Sequence, residues 1–211
     1  MDAKTGATSS RERILQAAKH LFAVRGYENT STIMIAREAG TSESQMVKHF
    51  GSKDGLLEAI FEQGWASLGD LVQLSPQTGS GADRLKSLMH KVWQGLERDP
   101  EVMELMLLES RRIRKHGQLV LVTRSFIEFT QRVDALLISM SERGELRAGL
   151  GPAVVRSALL GMGEGLLRDQ LLARRLGAEV GYNADDMIKV LDVMLAAFLE
   201  PEAPTATATS A

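Results

Sequence analysis

Residues 26–53, GYENTSTIMIAREAGTSESQMVKHFGSK, constrain this chain more than any other stretch. Gly40 falls between two short apolar-periodic segments, with Ile35, Ala36 and Ala39 before it and Met46 and Phe50 after it. Glycine takes a positive φ without steric cost, so a sharp turn is permitted there. The small alanines allow two helices to pack closely. Ser42 and Gln45 have the spacing of a capping box that opens the second short helix. Met46 and Phe50, four apart, would anchor that helix inward and leave Ser44, Gln45, Lys48 and His49 on or beside its outward face. A two-turn helix braced by another fits the major groove of DNA. Gln bonds adenine edges, and Lys and Ser serve bases or phosphates. Lys53 at the start of the following helix is placed for a phosphate, as are the hydroxyl and backbone N–H of Thr32. The same spacing also fits three short helices of an ordinary bundle.

The flanking sequence predicts an all-α chain. Ser9 with Glu12 is a capping box, and Ile14, Ala17, Ala18, Leu21 and Phe22 follow at helical spacing until Gly26. Ser52 caps a helix expected over 53–74, with Leu56, Leu57, Ile60, Phe61, Trp65 and Leu68 on its apolar side. Residues 75–82 are a loop by composition. Further helices are expected over 83–98, from Pro100 to about His116-Gly117, over 119–143, 153–175 and 184–199, about nine in all with no sheet. The domain plan is a flexible arm (1–9), a DNA-reading domain (10–55), a larger helical domain (56–199) and a disordered tail (200–211).

Residues 10–60 resemble the DNA-binding domain of the TetR family of transcriptional regulators. The resemblance rests on Gly26-Tyr27, Thr30-Ser31, Ile35-Ala36, Ala39-Gly40, Ser42, His49-Phe50, Ser52-Lys53 and Leu56. It implies a homodimer with nine helices per subunit: three that read DNA, middle ones around a ligand cavity, and two at the dimer interface. It makes Ser42, Ser44, Gln45, Lys48 and His49 contacts of the recognition helix, and Thr32 and Lys53 phosphate contacts. This chain departs from the family pattern at Val47, where a tyrosine is usual, at Ser44, where glycine is usual, and at Ile33 and Met34, where polar residues are usual. Glu43 places a negative charge near the expected phosphates, where the helix N-terminus also favours it.

Beyond residue 56 the resemblance rests only on length and helical character. Trp65, Met89, Trp93, Met103, Met106, Phe126, Phe129 and Met162 are either plain core or the walls of a cavity for an apolar or amphipathic small molecule. His90, Gln94, Glu109 and Arg168 are candidate polar anchors there. Arg111, Arg112, Arg114, Lys115 and His116 form a basic run that fits a helix C-terminus or an anion-docking site. Gly161, Gly163 and Gly165 lack the third glycine and the preceding strand of a dinucleotide loop. Inside a helix they call for close approach of another helix. Leu159, Leu160, Gly163, Leu166, Leu167, Leu171, Val190, Leu191, Met194 and Phe198 are accordingly candidates for a dimer interface, or for a monomer core.

Composition narrows the alternatives. With no cysteine among 211 residues, disulfides, thiolate metal sites and a cysteine nucleophile are excluded. There is no GxSxG, HExxH or P-loop, and His20, His49, His90 and His116 show no metal-ligand spacing. No catalytic residue, metal or cofactor is therefore expected, and an enzyme is disfavoured. No signal segment and no long apolar run is present, so membrane association is not expected and a cytoplasmic protein is the default. Residues 1–55 carry eight Lys and Arg against six Asp and Glu, and the remainder 17 against 21. The expected partners are an operator duplex, a small-molecule effector and a second copy of the chain, in a repressor that binds a palindromic site and is released by its ligand. The competing reading is a helical small-molecule or lipid-binding module without DNA function.

Overall fold

The computed structural model describes residues 8–73, 78–114, 117–179 and 181–200. Most of the expected terminal arm of 1–9 (residues 1–7), most of the expected tail (201–211), residues 74–77 at the start of the expected loop, Lys115, His116 and residue 180 lie outside them. Nine helices occur among the described residues: α1 (Ser10–Arg25), α2 (Thr32–Glu38), α3 (Glu43–Phe50), α4 (Lys53–Gln73), α5 (Gly81–Arg98), α6 (Pro100–Glu109), α7 (Arg124–Glu142), α8 (Pro152–Leu176) and α9 (Ala184–Phe198). Only two isolated β-bridges accompany them, Ile113 with Leu119 and Leu146 with Leu199.

Local chemistry sets the first three helices. The Ser9–Glu12 capping box is complete, and Gly26 closes α1 with φ +82°. Ser31 caps α2 through the Met34 N–H. Gly40, at φ +61°, lets the chain reverse into α3.

The chain divides into two compact units, residues up to 75 with 90–131, and residues 76–89 with 132–211. In the first, Ile14, Ala18, Phe22, Ile35 and Met46 are buried in one core with Leu56, Leu57, Ile60, Phe61, Leu105 and Val120. The three short helices thus share their interior with α4 and α6. Lys19 pairs with Asp99 at 2.8 Å, and His20 Nδ1 lies 2.8 Å from Glu101, holding α1 to the start of α6. In the second unit, α8 packs on α9, and Val155, Leu159, Leu167, Leu171, Met187, Leu191 and Leu195 of these helices are buried. A complete capping box at Asn183 and Asp186 opens α9.

Two expected boundaries move. The sixth helix ends at Glu109, not near residue 116, and α7 starts at Arg124, not at 119. Between them the chain turns back on itself: the Val120 N–H donates to the Arg112 carbonyl at 3.0 Å, and the Arg114 N–H to the Gln118 carbonyl at 2.7 Å. The guanidinium groups of Arg112 and Arg114 also find carboxylates, at Glu28 and Glu58 far back in the chain and at Glu109, the last residue of α6. Those pairs hold both arginines more firmly than a helix-end dipole could. The Thr123 hydroxyl, accepting from the Phe126 N–H, caps α7.

Candidate nucleic-acid interface

Helix α3 is fastened by one side and open on the other. Met46 is fully buried, and Phe50 is half-buried with the Arg11 guanidinium 5.1 Å from its ring centre. Ser42, Glu43, Ser44, Gln45, Val47, Lys48 and His49 are all exposed. The expected outward face is therefore the observed one, with Val47 adding an apolar group to it.

The local hydrogen bonds differ from the expectation at three residues. The Ser42 hydroxyl accepts the Gln45 N–H at 3.3 Å and lies 2.9 Å from the Ser44 hydroxyl. The reciprocal half of the capping box is absent, so the Gln45 amide is not held against the backbone. Neither Gln45 nor Lys48 has a side-chain partner among the described residues. Thr32 is the second case. Its hydroxyl donates to the Glu43 carboxylate, which joins the start of α2 to the first turn of α3 and takes the proton expected to meet a phosphate. The third is Lys53. Its ammonium donates to the carbonyls of Tyr27 at 2.9 Å and Thr30 at 3.1 Å, and lies 4.1 Å from the Tyr27 ring centre. One of its three N–H donors remains for a phosphate.

Tyr27 organises the mount of these helices, a role the sequence did not disclose. Its ring packs on Phe22 at 5.0 Å, and its hydroxyl donates to the Asp54 carboxylate. Burial first, and that carboxylate next, push its ionisation well above the ordinary tyrosine range. Gly55 is a second missed residue. A Cβ there would overlap the Phe50 carbonyl oxygen, so only glycine lets α4 begin this close to the end of α3. An interruption of the apolar helical pattern by glycine was the one signal available.

The candidate ligand residues divide. Trp65, His90, Trp93, Met103, Met106, Glu109, Phe126 and Phe129 belong to the first unit, and Met89 and Met162 to the second. Trp65 packs against Phe126 and Phe129, with ring centres 5.0 and 5.1 Å away. Met89, Trp93, Met103 and Phe129 are buried, and Glu109 pairs with Arg112 at 3.0 Å. The indole N–H groups of Trp65 and Trp93 are buried without an acceptor among the described residues. A cavity of about 290 Å³ in the first unit is lined by other residues, among them Leu15, Lys19, Ile60, Leu68, Leu96 and Val102. None of the expected ligand residues lines it.

The interface candidates divide as well. Leu159, Leu167, Leu171 and Leu191 are buried within the single chain. Leu160, Gly163, Leu166, Met194 and Phe198 are half-buried, and Val190 is exposed. A Cβ added at Gly161, Gly163 or Gly165 would meet open space, so no helix of the same chain approaches them closely. Among the described residues no three or more His, Asp or Glu gather into a group that could hold a metal, and no helix is long and apolar enough to cross a membrane.

Residues 14–60 match the family model described as bacterial regulatory proteins, tetR family. The helix-turn-helix transcriptional regulator YvkB of Bacillus subtilis is 26% identical over 147 residues, which span 66% of this chain and 72% of that protein. Among solved structures, a transcriptional regulator FadR from Bacillus subtilis in complex with stearoyl-CoA matches with TM-score 0.73 and 17% identity, covering 87% of this chain and 95% of that one. SmeT, the repressor of the Stenotrophomonas maltophilia multidrug efflux pump SmeDEF, matches with TM-score 0.70 and 23% identity, covering 95% and 94%. These two likenesses describe the fold.

Proposed function

We propose that this chain, a TetR-family DNA-binding transcriptional regulator, is a cytoplasmic dimeric repressor without enzymatic activity that is released from a palindromic operator by an apolar or amphipathic small molecule. The observation that carries the DNA-reading part is the surface of α3. Gln45 and Lys48 stand exposed and unpartnered on a helix whose opposite side is anchored by buried Met46. A polar helix of this length, braced by α2 and free on one side, has the shape that enters a major groove. Gln45 is assigned to a base edge, Lys48 and the third proton of Lys53 to phosphates, and Ser42, Ser44 and His49 to positions beside them. Val47 offers a methyl-bearing surface where thymine methyl groups are read. Thr32 contributes its backbone N–H, since its hydroxyl is engaged with Glu43.

Dimerisation is assigned to α8 and α9. Val154, Leu172 and Leu176 on α8, and Val190 and Val193 on α9, are exposed, and the three glycines leave room for another surface. In such a dimer the two recognition helices reach successive major grooves, about 34–36 Å apart. An amphipathic effector is supported by the indole N–H groups of Trp65 and Trp93, which have no acceptor among the described residues, by the packing of Trp65 on Phe126 and Phe129, and by the stearoyl-CoA bound to a protein of this fold. The effector acts only to the extent that it binds the two arrangements of the readers with different affinity.

Selection of bound duplexes from a random pool, followed by salt-titrated gel shifts of the winners, tests this reading. Enrichment of a near-palindrome whose affinity falls with rising salt is the expected result. Failure to retain any duplex at low ionic strength favours the module without DNA function.

A further inference from the structure

The α2–α3 hairpin is joined to the rest of the first unit where the chain enters α2 and where it leaves α3. Both points meet at Tyr27. Lys53 and Asp54, just past α3, bond to the carbonyl and hydroxyl of Tyr27, and Lys53 also takes the carbonyl of Thr30. Entry and exit are therefore tied in one knot. Arg112, from the segment that follows α6, covers that knot from outside. Its guanidinium lies 3.9 Å from the centre of the Tyr27 ring. It is gripped by Glu28 at 2.8 Å and by Glu109 at 3.0 Å. Two further ties reach α4, one from the same segment and one from the first turn of α7: Arg114 with Glu58 at 2.9 Å, and Ser125, whose N–H and hydroxyl both donate to Glu62. Of the three, only Arg112 touches the turn that leads into α2.

We propose that Arg112 is a positioning residue for DNA reading, which fixes the angle of the α2–α3 hairpin by clamping Tyr27 and Glu28 to the end of α6. The inference rests on the DNA-binding reading above. The interior of the hairpin does not depend on the clamp, because Ile14, Phe22, Ile35 and Met46 remain buried against one another without it. Removing Arg112 therefore loosens the mount and leaves the reading surface intact. A single half-site tolerates such looseness, since one helix can still find one groove. Two half-sites do not, because discrimination between spacings requires each reader to hold its direction. Lysine cannot replace the guanidinium fully: it can lie over the ring but lacks the planar fork that bridges two carboxylates.

The test uses the full-length protein and duplexes in which two copies of the wild-type half-site are separated by spacers stepped one base pair at a time. Wild type is expected to prefer one spacing by about tenfold over its neighbours two base pairs away. In Arg112→Ala that preference falls below about threefold, with half-site affinity changed less than about threefold. Arg112→Lys lies between, and Arg114→Ala keeps the wild-type profile. If Arg112→Ala does not fold, Glu28→Gln removes one grip only and broadens the profile in part. An unchanged profile in Arg112→Ala, or in Glu28→Gln where that variant replaces it, overturns the inference. So does an equal loss of half-site and full-site binding, or a flat wild-type profile. A wild-type protein that retains no duplex overturns the DNA-binding reading, and the inference with it, whereas a sharp wild-type profile kept by Arg112→Ala overturns the inference alone.

Discussion

Lys53→Met separates two roles that one ammonium can serve. The substitution keeps most of the stem and removes the charge. What is lost inside the fold is a pair of hydrogen bonds, to Tyr27 at 2.9 Å and Thr30 at 3.1 Å, and the contact with the Tyr27 ring at 4.1 Å. A hydrogen bond to a charged group contributes about 1.5–3 kcal/mol and an exposed cation–π contact about 0.5–1 kcal/mol. The lower ends apply, because Lys53 is only half-buried and the Tyr27 carbonyl keeps the Thr30 N–H at 3.3 Å. These contributions share one group and do not add in full, which brings the expected loss to about 2 kcal/mol. For a chain of this length that lowers the melting temperature by about 4–8 °C. Thermal unfolding followed by far-ultraviolet circular dichroism measures it. The salt dependence of duplex binding reports separately on the third proton. Each phosphate pairing contributes about 0.9 to the slope, so a dimer that loses one per subunit loses about 1.8. A melting temperature within about one degree of wild type would refute the structural role, whatever happened to DNA affinity.

Gly55→Ala tests the close junction of α3 and α4. Helix preference alone favours alanine by about 1 kcal/mol, yet the new Cβ overlaps backbone at Phe50 that cannot retreat without moving the end of α3. A net destabilisation of about 2 kcal/mol and weaker duplex binding are expected, and a more stable variant would show that the junction is loose. Gln45→Ala should change which bases are preferred at one position of each half-site and leave the salt slope intact; an unchanged preference removes Gln45 from the list of base contacts. Tyr27→Phe alters the alkaline limb. The folded state holds the Tyr27 proton above its ordinary value of 10.0, so the unfolded chain releases it first as pH rises. The contribution of that group is complete below pH 10 and declines above it. Stability to denaturant should therefore fall more steeply above about pH 10 in wild type than in the variant, and parallel curves would deny the shift.

The reading domain was legible because its signals are local. Ser9, Ser31 and Ser42 cap helices from one residue away from the turn they close, and Gly26 and Gly40 reverse the chain by their own backbone freedom. The outward face of α3 followed from the four-residue spacing of Met46 and Phe50. The far end of α6 was not legible. The run Arg111–His116 continues the polarity of a helix end, whereas in the structure α6 stops at Glu109 and Arg112 and Arg114 pair with Glu28 and Glu58, carboxylates distant in sequence. The place of open volume was not legible for a related reason. Methionines and aromatics mark apolar volume, but whether that volume is filled depends on how neighbouring helices meet. Here Phe129 and Met103 are buried, and the open space lies beside Leu15 and Leu68.

Caps, turns and apolar spacing are properties of a few consecutive residues, so the amino-acid order by itself determined the all-α character, the three short helices and the side of α3 that faces solvent. Tertiary structure decided what the polar groups do. Lys53, Thr32 and Arg112 each had a plausible role in solvent or against a phosphate, and each is held by a partner that folding brings near: a carbonyl 26 residues back, a carboxylate 11 residues on, and a carboxylate 84 residues back. A charged or hydroxyl side chain has several partners of similar strength open to it. Which one it takes is set by distance in space, and distance in space is a product of the packed core.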